Sequence, residues 1–83
     1  MKFQLFSAEN CVPCKSIYNY LINNYPTLKF EIVYYHIRPD LFKKYSISGT
    51  PTLVVNDTSQ AMGYDNIVDY FTNLSYFDVT EEE

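Results

Sequence analysis

Cys11-Val12-Pro13-Cys14 is the stretch that decides how this chain is read. Before it, Lys2-Phe3-Gln4-Leu5-Phe6-Ser7 places Phe3 and Leu5 on one face of an extended segment, the pattern of a short strand. After it, Cys14, Ile17, Tyr18, Leu21 and Tyr25 recur at helical spacing, which predicts a helix from about Val12 or Pro13 to Asn24. Pro13 fits the first turn, where a missing N–H is no loss. Cys11 then stands at the helix N-terminus, where free backbone N–H groups and the helix dipole favour a thiolate, and Cys14 lies one turn further in. Two thiols so placed can close a small ring, open it and pass electrons to another disulfide. Cys11 is the expected nucleophile and Cys14 the resolving thiol.

The elements that follow are legible from their punctuation. Tyr25-Pro26-Thr27 ends the helix, because the residue before a proline is driven out of the helical region. Leu28 to His36 alternates in part, with Phe30, Ile32 and Tyr34 on one face and Lys29 and Glu31 on the other, so it reads as a second strand. Arg38-Pro39-Asp40 starts a short helix whose apolar side is Leu41, Phe42 and Tyr45, and Ser46-Ile47-Ser48-Gly49 breaks it. Thr50-Pro51-Thr52 leads into Leu53-Val54-Val55-Asn56, a β-branched strand with a buried character. Asp57-Thr58-Ser59 reads as a turn, Gln60-Ala61-Met62 as an edge strand and Gly63 as a further break. From Tyr64 or Asp65 a last helix follows, with Asp65 or Asn66 able to cap it and Ile67, Val68, Phe71 and Leu74 facing inward. The order is βαβαββα: an α/β domain over residues 1–76, then an acidic tail over 77–83, read as frayed from Asp78 onward.

Composition narrows the classes of function. Eighty-three residues make one domain with a small core, supplied by 47% apolar residues and by nine Tyr and six Phe. Two cysteines three apart close only a tiny loop, so disulfides are not how this fold is held. A net charge of −4 argues against a nucleic-acid partner. A zinc site needs four ligands, and beyond the cysteine pair the only histidine is His36, far along the chain, so no metal is expected. No signal peptide and no membrane-length apolar run is present in these residues, and the expectation is a soluble, cytoplasmic monomer in a reducing compartment.

The element order, the dithiol at the first strand–helix junction and the Thr50-Pro51 pair opening the third strand together resemble the thioredoxin fold over about residues 1–76. Tyr45-Ser46-Ile47-Ser48-Gly49-Thr50-Pro51-Thr52-Leu53 is similar to the thioredoxin run that leads into that family's cis-proline, and Pro13-Cys14-Lys15 matches the end of its dithiol motif. Met62-Gly63-Tyr64-Asp65-Asn66 followed by Asp69-Tyr70-Phe71 resembles small glutaredoxins, phage-encoded ones in particular. The resemblance implies a minimal thioredoxin fold, a four-stranded mixed sheet flanked by three helices. It implies a dithiol–disulfide oxidoreductase that reduces protein disulfides, with ribonucleotide reductase a candidate substrate. It places Thr50 and a cis Pro51 beside the dithiol, and gives Gly63, Tyr64 and Asp65 to substrate binding. No bound cofactor is implied; the electron source would be glutathione or a thioredoxin-reductase-type flavoprotein.

The departures bear on chemistry. Asn10 precedes Cys11 where thioredoxins usually carry Trp, and Leu5 stands where their buried Asp is expected, so that proton acceptor is missing. Ala8-Glu9-Asn10 replaces the cation with which glutaredoxins hold a glutathione carboxylate, and Glu9 would repel both that carboxylate and a thiolate at Cys11. The alternative reading is a non-catalytic binding module on the same fold, its dithiol vestigial or structural.

Overall fold

Strand β1 (Phe3–Ser7) is buried at all five positions, which a strand achieves only with a partner on each edge and a layer on each face. Both edges are filled: β1 pairs in parallel with β2 (Phe30–Tyr34) and antiparallel with β3 (Thr52–Val55), and β3 pairs antiparallel with β4 (Thr58–Met62). The sheet order is β2-β1-β3-β4. The computed structural model describes the backbone of residues 1–82 and the side chains of residues 1–74.

The two faces of β1 seed two cores. Phe3 and Leu5 point one way, with Leu53 and Val55 of β3, onto Ile17 and Leu21 of helix α1 (Val12–Asn24) and Ile67 and Phe71 of helix α3 (Tyr64–Glu82). Phe6 points the other way, with Val33 and Val54, onto Phe42 of the short helix α2 (Pro39–Lys44). The architecture is therefore α/β, a mixed four-stranded sheet with α1 and α3 on one face and α2 on the other. The predicted order βαβαββα is the observed one.

Several boundaries differ from the sequence reading. β2 is Phe30–Tyr34 rather than Leu28 to His36, since β1 has only five residues to pair with it. Its most buried residue is Val33, on the α2 face, while Phe30 packs on the α1/α3 core. The β3–β4 turn falls on Asn56-Asp57, both at positive φ (51° and 67°), and not on Asp57-Thr58-Ser59. A two-residue hairpin loop of type I′ requires positive φ at both centres, which Asn and Asp tolerate, so Thr58 and Ser59 are released into β4. α3 continues to Glu82, past residue 76 and through most of the stretch read as an acidic tail; Glu83 lies outside the described residues.

Candidate active site

Cys11 occupies the cap position before α1, in extended backbone (φ −106°, ψ 103°), and Pro13 sits in the first turn. A capping side chain turns back to accept from the unpaired N–H groups of that turn. Here the acceptor is sulfur: the Cys14 N–H donates to Cys11 Sγ at 3.3 Å, while the Lys15 N–H donates to the Cys11 carbonyl at 3.2 Å. The donor and the helix terminus both favour negative charge on that sulfur, and the first turn carries no acidic residue to oppose it.

The two cysteines form a disulfide with their Cα atoms 5.2 Å apart. They differ in access. Cys11 is half-buried, whereas Cys14 is 3% exposed, so an incoming thiolate or disulfide meets Cys11.

The segment entering β3 comes up against the same sulfur. The Thr50–Pro51 bond is cis and Pro51 is fully buried. The Thr50 hydroxyl donates to Cys11 Sγ at 3.6 Å, and the Thr50 carbonyl oxygen lies 3.9 Å from that sulfur. The Thr52 hydroxyl, donating to the Gly49 carbonyl at 2.6 Å, ties the segment into a tight turn. Gly63 is linked to it through backbone, its N–H donating to the Pro51 carbonyl at 2.8 Å.

Gly63 also takes the cap position of α3, which the sequence assigned to Asp65 or Asn66: the Ile67 N–H donates to the Gly63 carbonyl at 3.0 Å. The Asn66 amide instead reaches back to the Met62 carbonyl at 2.9 Å. Tyr64 turns toward Tyr20 of α1, ring centroids 6.2 Å apart, and Asp65 is exposed in the first turn of α3. Among the described residues no hydrogen bond joins Tyr64 or Asp65 to the dithiol. Of the residues read as substrate-binding, the fold thus brings Thr50 and Pro51 to the cysteines and Gly63 behind them.

Cys14 also lines a cleft of about 700 Å³ between α1 and the ends of β1 and β2, together with Leu5, Ser7, Glu9, Lys15 and Tyr34. Leu5 is buried there, so the position where an acid is expected presents hydrocarbon to this cleft. The Glu9 carboxylate is drawn to His36, Oε1 to Nδ1 3.5 Å, on the loop beyond β2. His36 had read as a strand end; its position beside Glu9 follows from the parallel β1–β2 register, which single-sequence patterning does not supply. Met62, read as an edge-strand residue and as the start of the glutaredoxin-like segment, lies across from Thr52 with its sulfur beside Gly49. Among the described residues no group of three or more His, Cys, Asp or Glu side chains converges, and no helix is long and apolar enough to cross a membrane.

No family model matches the chain, and no curated protein does. Solved structures do match. Thioredoxin 1 from the thermophilic eubacterium Thermosipho africanus superposes with a TM-score of 0.71 at 14% identity, covering 100% of both chains. Reduced Escherichia coli glutaredoxin superposes with a TM-score of 0.57 at 18% identity, covering 88% of this chain and 95% of its own. The chain is a thioredoxin-fold protein, similar in structure to a thioredoxin and to a glutaredoxin, with a CxxC pair at the start of its first helix.

Proposed function

We propose that the protein is a thiol–disulfide oxidoreductase, a glutaredoxin- or thioredoxin-like electron donor that reduces protein disulfides through Cys11 and Cys14. The observation that carries this reading is the inequality of the two sulfurs: one reachable and supplied with donors, the other buried one turn behind it. The Cys11 thiolate attacks one sulfur of the substrate disulfide, whose other half leaves as a thiolate. Cys14 then loses its proton and attacks Cys11 Sγ in the mixed disulfide, which expels the second substrate thiolate and leaves Cys11–Cys14 oxidised. Two electrons pass to the substrate. The Cys14 N–H and the Thr50 hydroxyl hold the charge on Cys11 at the start of the cycle.

The backbone of Thr50, beside a half-buried sulfur, is suited to pair with an extended substrate segment as an added strand. The working compartment of this reading is the cytoplasm, with glutathione or a thioredoxin-reductase-type flavoprotein as electron source and ribonucleotide reductase as a candidate substrate. Glu9 disfavours an anionic tripeptide and so favours the flavoprotein.

The test has two parts. Cys11→Ser abolishes reduction of a protein disulfide, and Cys14→Ser accumulates a mixed disulfide visible by mass; activity that survives in Cys11→Ser overturns the reading, and a wild type that shows no turnover with any reductase leaves a binding module. Parallel assays with glutathione plus glutathione reductase, and with NADPH plus thioredoxin reductase, then identify the electron source.

A further inference from the structure

Met62 is 50% exposed, at the end of the edge strand and next to Gly63, whose N–H is bonded to the Pro51 carbonyl. Its sulfur lies against the loop that precedes Thr50. It lies 3.2 Å from where a Cβ on Gly49 would be, and 4.0 Å from the Ser48 hydroxyl. The Ser48–Gly49 pair leads directly into Thr50, the residue in contact with Cys11 Sγ. Val12, on the helix side of Cys11, is 73% exposed. The Met62 thioether thus borders the segment that carries Thr50 to Cys11.

We infer that Met62 is a peroxide-sensitive modification site: oxidation of its thioether to the sulfoxide weakens docking of protein disulfides while leaving the Cys11–Cys14 chemistry intact. This rests on the oxidoreductase reading above. In the step, a peroxide transfers one oxygen atom to Met62 Sδ; the sulfur is oxidised by two electrons, the O–O bond breaks, and water is released from hydrogen peroxide. The Ser48 hydroxyl, 4.0 Å from the sulfur, is a ready donor to the new oxygen, which otherwise points outward to where a partner sits. Either way an apolar contact becomes a strong polar acceptor on the docking face. Neither sulfur of the dithiol needs to change oxidation state for this to happen.

The experiment uses the full chain in its disulfide form, which leaves no thiol for peroxide to attack. Wild type and Met62→Leu are treated with hydrogen peroxide, quenched with catalase and mapped by peptide mass, with Met1, 75% exposed and the only other methionine, as the internal reference. Each is then assayed against a protein disulfide and a small aromatic disulfide, relative to its own untreated rate. We expect Met62 to gain one oxygen as readily as Met1. The treated wild type should lose roughly tenfold in kcat/KM on the protein disulfide, the scale of one lost apolar contact, with little change on the small one. Met62→Leu should keep both of its rates, and a methionine sulfoxide reductase should restore the wild type. Equal losses on both substrates, an equal loss in Met62→Leu, or full protein-disulfide activity with Met62 oxidised would overturn the inference. So would a Met62 that stays unoxidised while Met1 reacts. An untreated protein that reduces neither substrate would instead overturn the oxidoreductase reading, and this inference with it.

Discussion

The hydroxyl of Thr50 and the sulfur of Cys11, 39 positions apart in sequence, meet at 3.6 Å, so a side chain at the entrance of β3 completes the surroundings of a thiol at the entrance of α1. Such a donor favours the thiolate over the thiol. Thr50→Val keeps the shape and removes the hydroxyl, and the Cys11 thiol of the reduced variant should titrate higher than that of the wild type. Alkylation rate against pH measures this directly. An unchanged profile would leave the Cys14 N–H and the helix terminus as the groups that hold the charge.

Phe6 fills the smaller core: it is fully buried, with its ring 4.9 Å from that of Phe42 and 5.7 Å from that of Tyr45. Phe6→Ala should cost about 3–5 kcal/mol, the range for removing a buried Phe from a core, here one closed by α2 with Tyr45 and Ile47 beside it. For a domain whose whole stability is on the order of 5–15 kcal/mol, that is a large share. Urea unfolding followed by far-UV circular dichroism should show a much lower midpoint, and a shift of under ~1 kcal/mol would mean the α2 layer repacks.

Gly63 has φ +92°, and a Cβ there would meet nothing within 4 Å. The demand for glycine is therefore one of backbone conformation and not of space. Gly63→Ala should lower stability by about 1–2 kcal/mol, and Gly63→Asn by less, since Asn enters the left-handed region more readily. Equal losses in the two variants would point to crowding that the open surroundings do not show.

Asp57 accepts from the Tyr45 hydroxyl at 2.8 Å and lies 3.7 Å from the Lys2 ammonium. The Tyr45 hydrogen bond, followed by the Lys2 charge, holds its carboxyl below the usual carboxylate range. A depressed folded-state pKa gives stability that is fully present above the unfolded value and is lost as pH falls through the folded one. As pH falls below the ordinary carboxylate value of about 4, then, the wild type should lose stability more steeply than Asp57→Asn, which keeps a residue tolerant of positive φ in the turn. Urea midpoints across that window decide it: parallel curves would show that the carboxylate contributes nothing through its ionisation.

The sequence carried the periodic parts of this molecule well. Cys14, Ile17 and Leu21 at helical spacing gave the buried face of α1, and Pro13 with Tyr25-Pro26 gave its ends. The cysteine pair and Thr50-Pro51 were legible because their chemistry is local. The cap of α3 was not, since Gly63 caps through its backbone carbonyl while side-chain reasoning looked to Asp65 and Asn66. The β3–β4 turn slipped by one position because Asn56, Asp57, Thr58 and Ser59 are all turn-formers, and only the register against β3 chooses among them. The Glu9–His36 pair and the seat of the Met62 sulfur depend on which strands lie side by side, which no window of sequence contains.

The middle of the sheet is occupied by the strand that precedes both of its neighbours in the chain. During synthesis β1 emerges with Phe3, Leu5 and Phe6 but without a partner, and its two edges are satisfied only when Tyr34 and then Val55 have left the ribosome. At ~5–20 residues per second, this apolar segment waits a few seconds before the sheet can close around it. That interval is when a chaperone that recognises exposed apolar strands would have most to hold, and a fusion partner placed ahead of β1 would lengthen the polymer without shortening the wait.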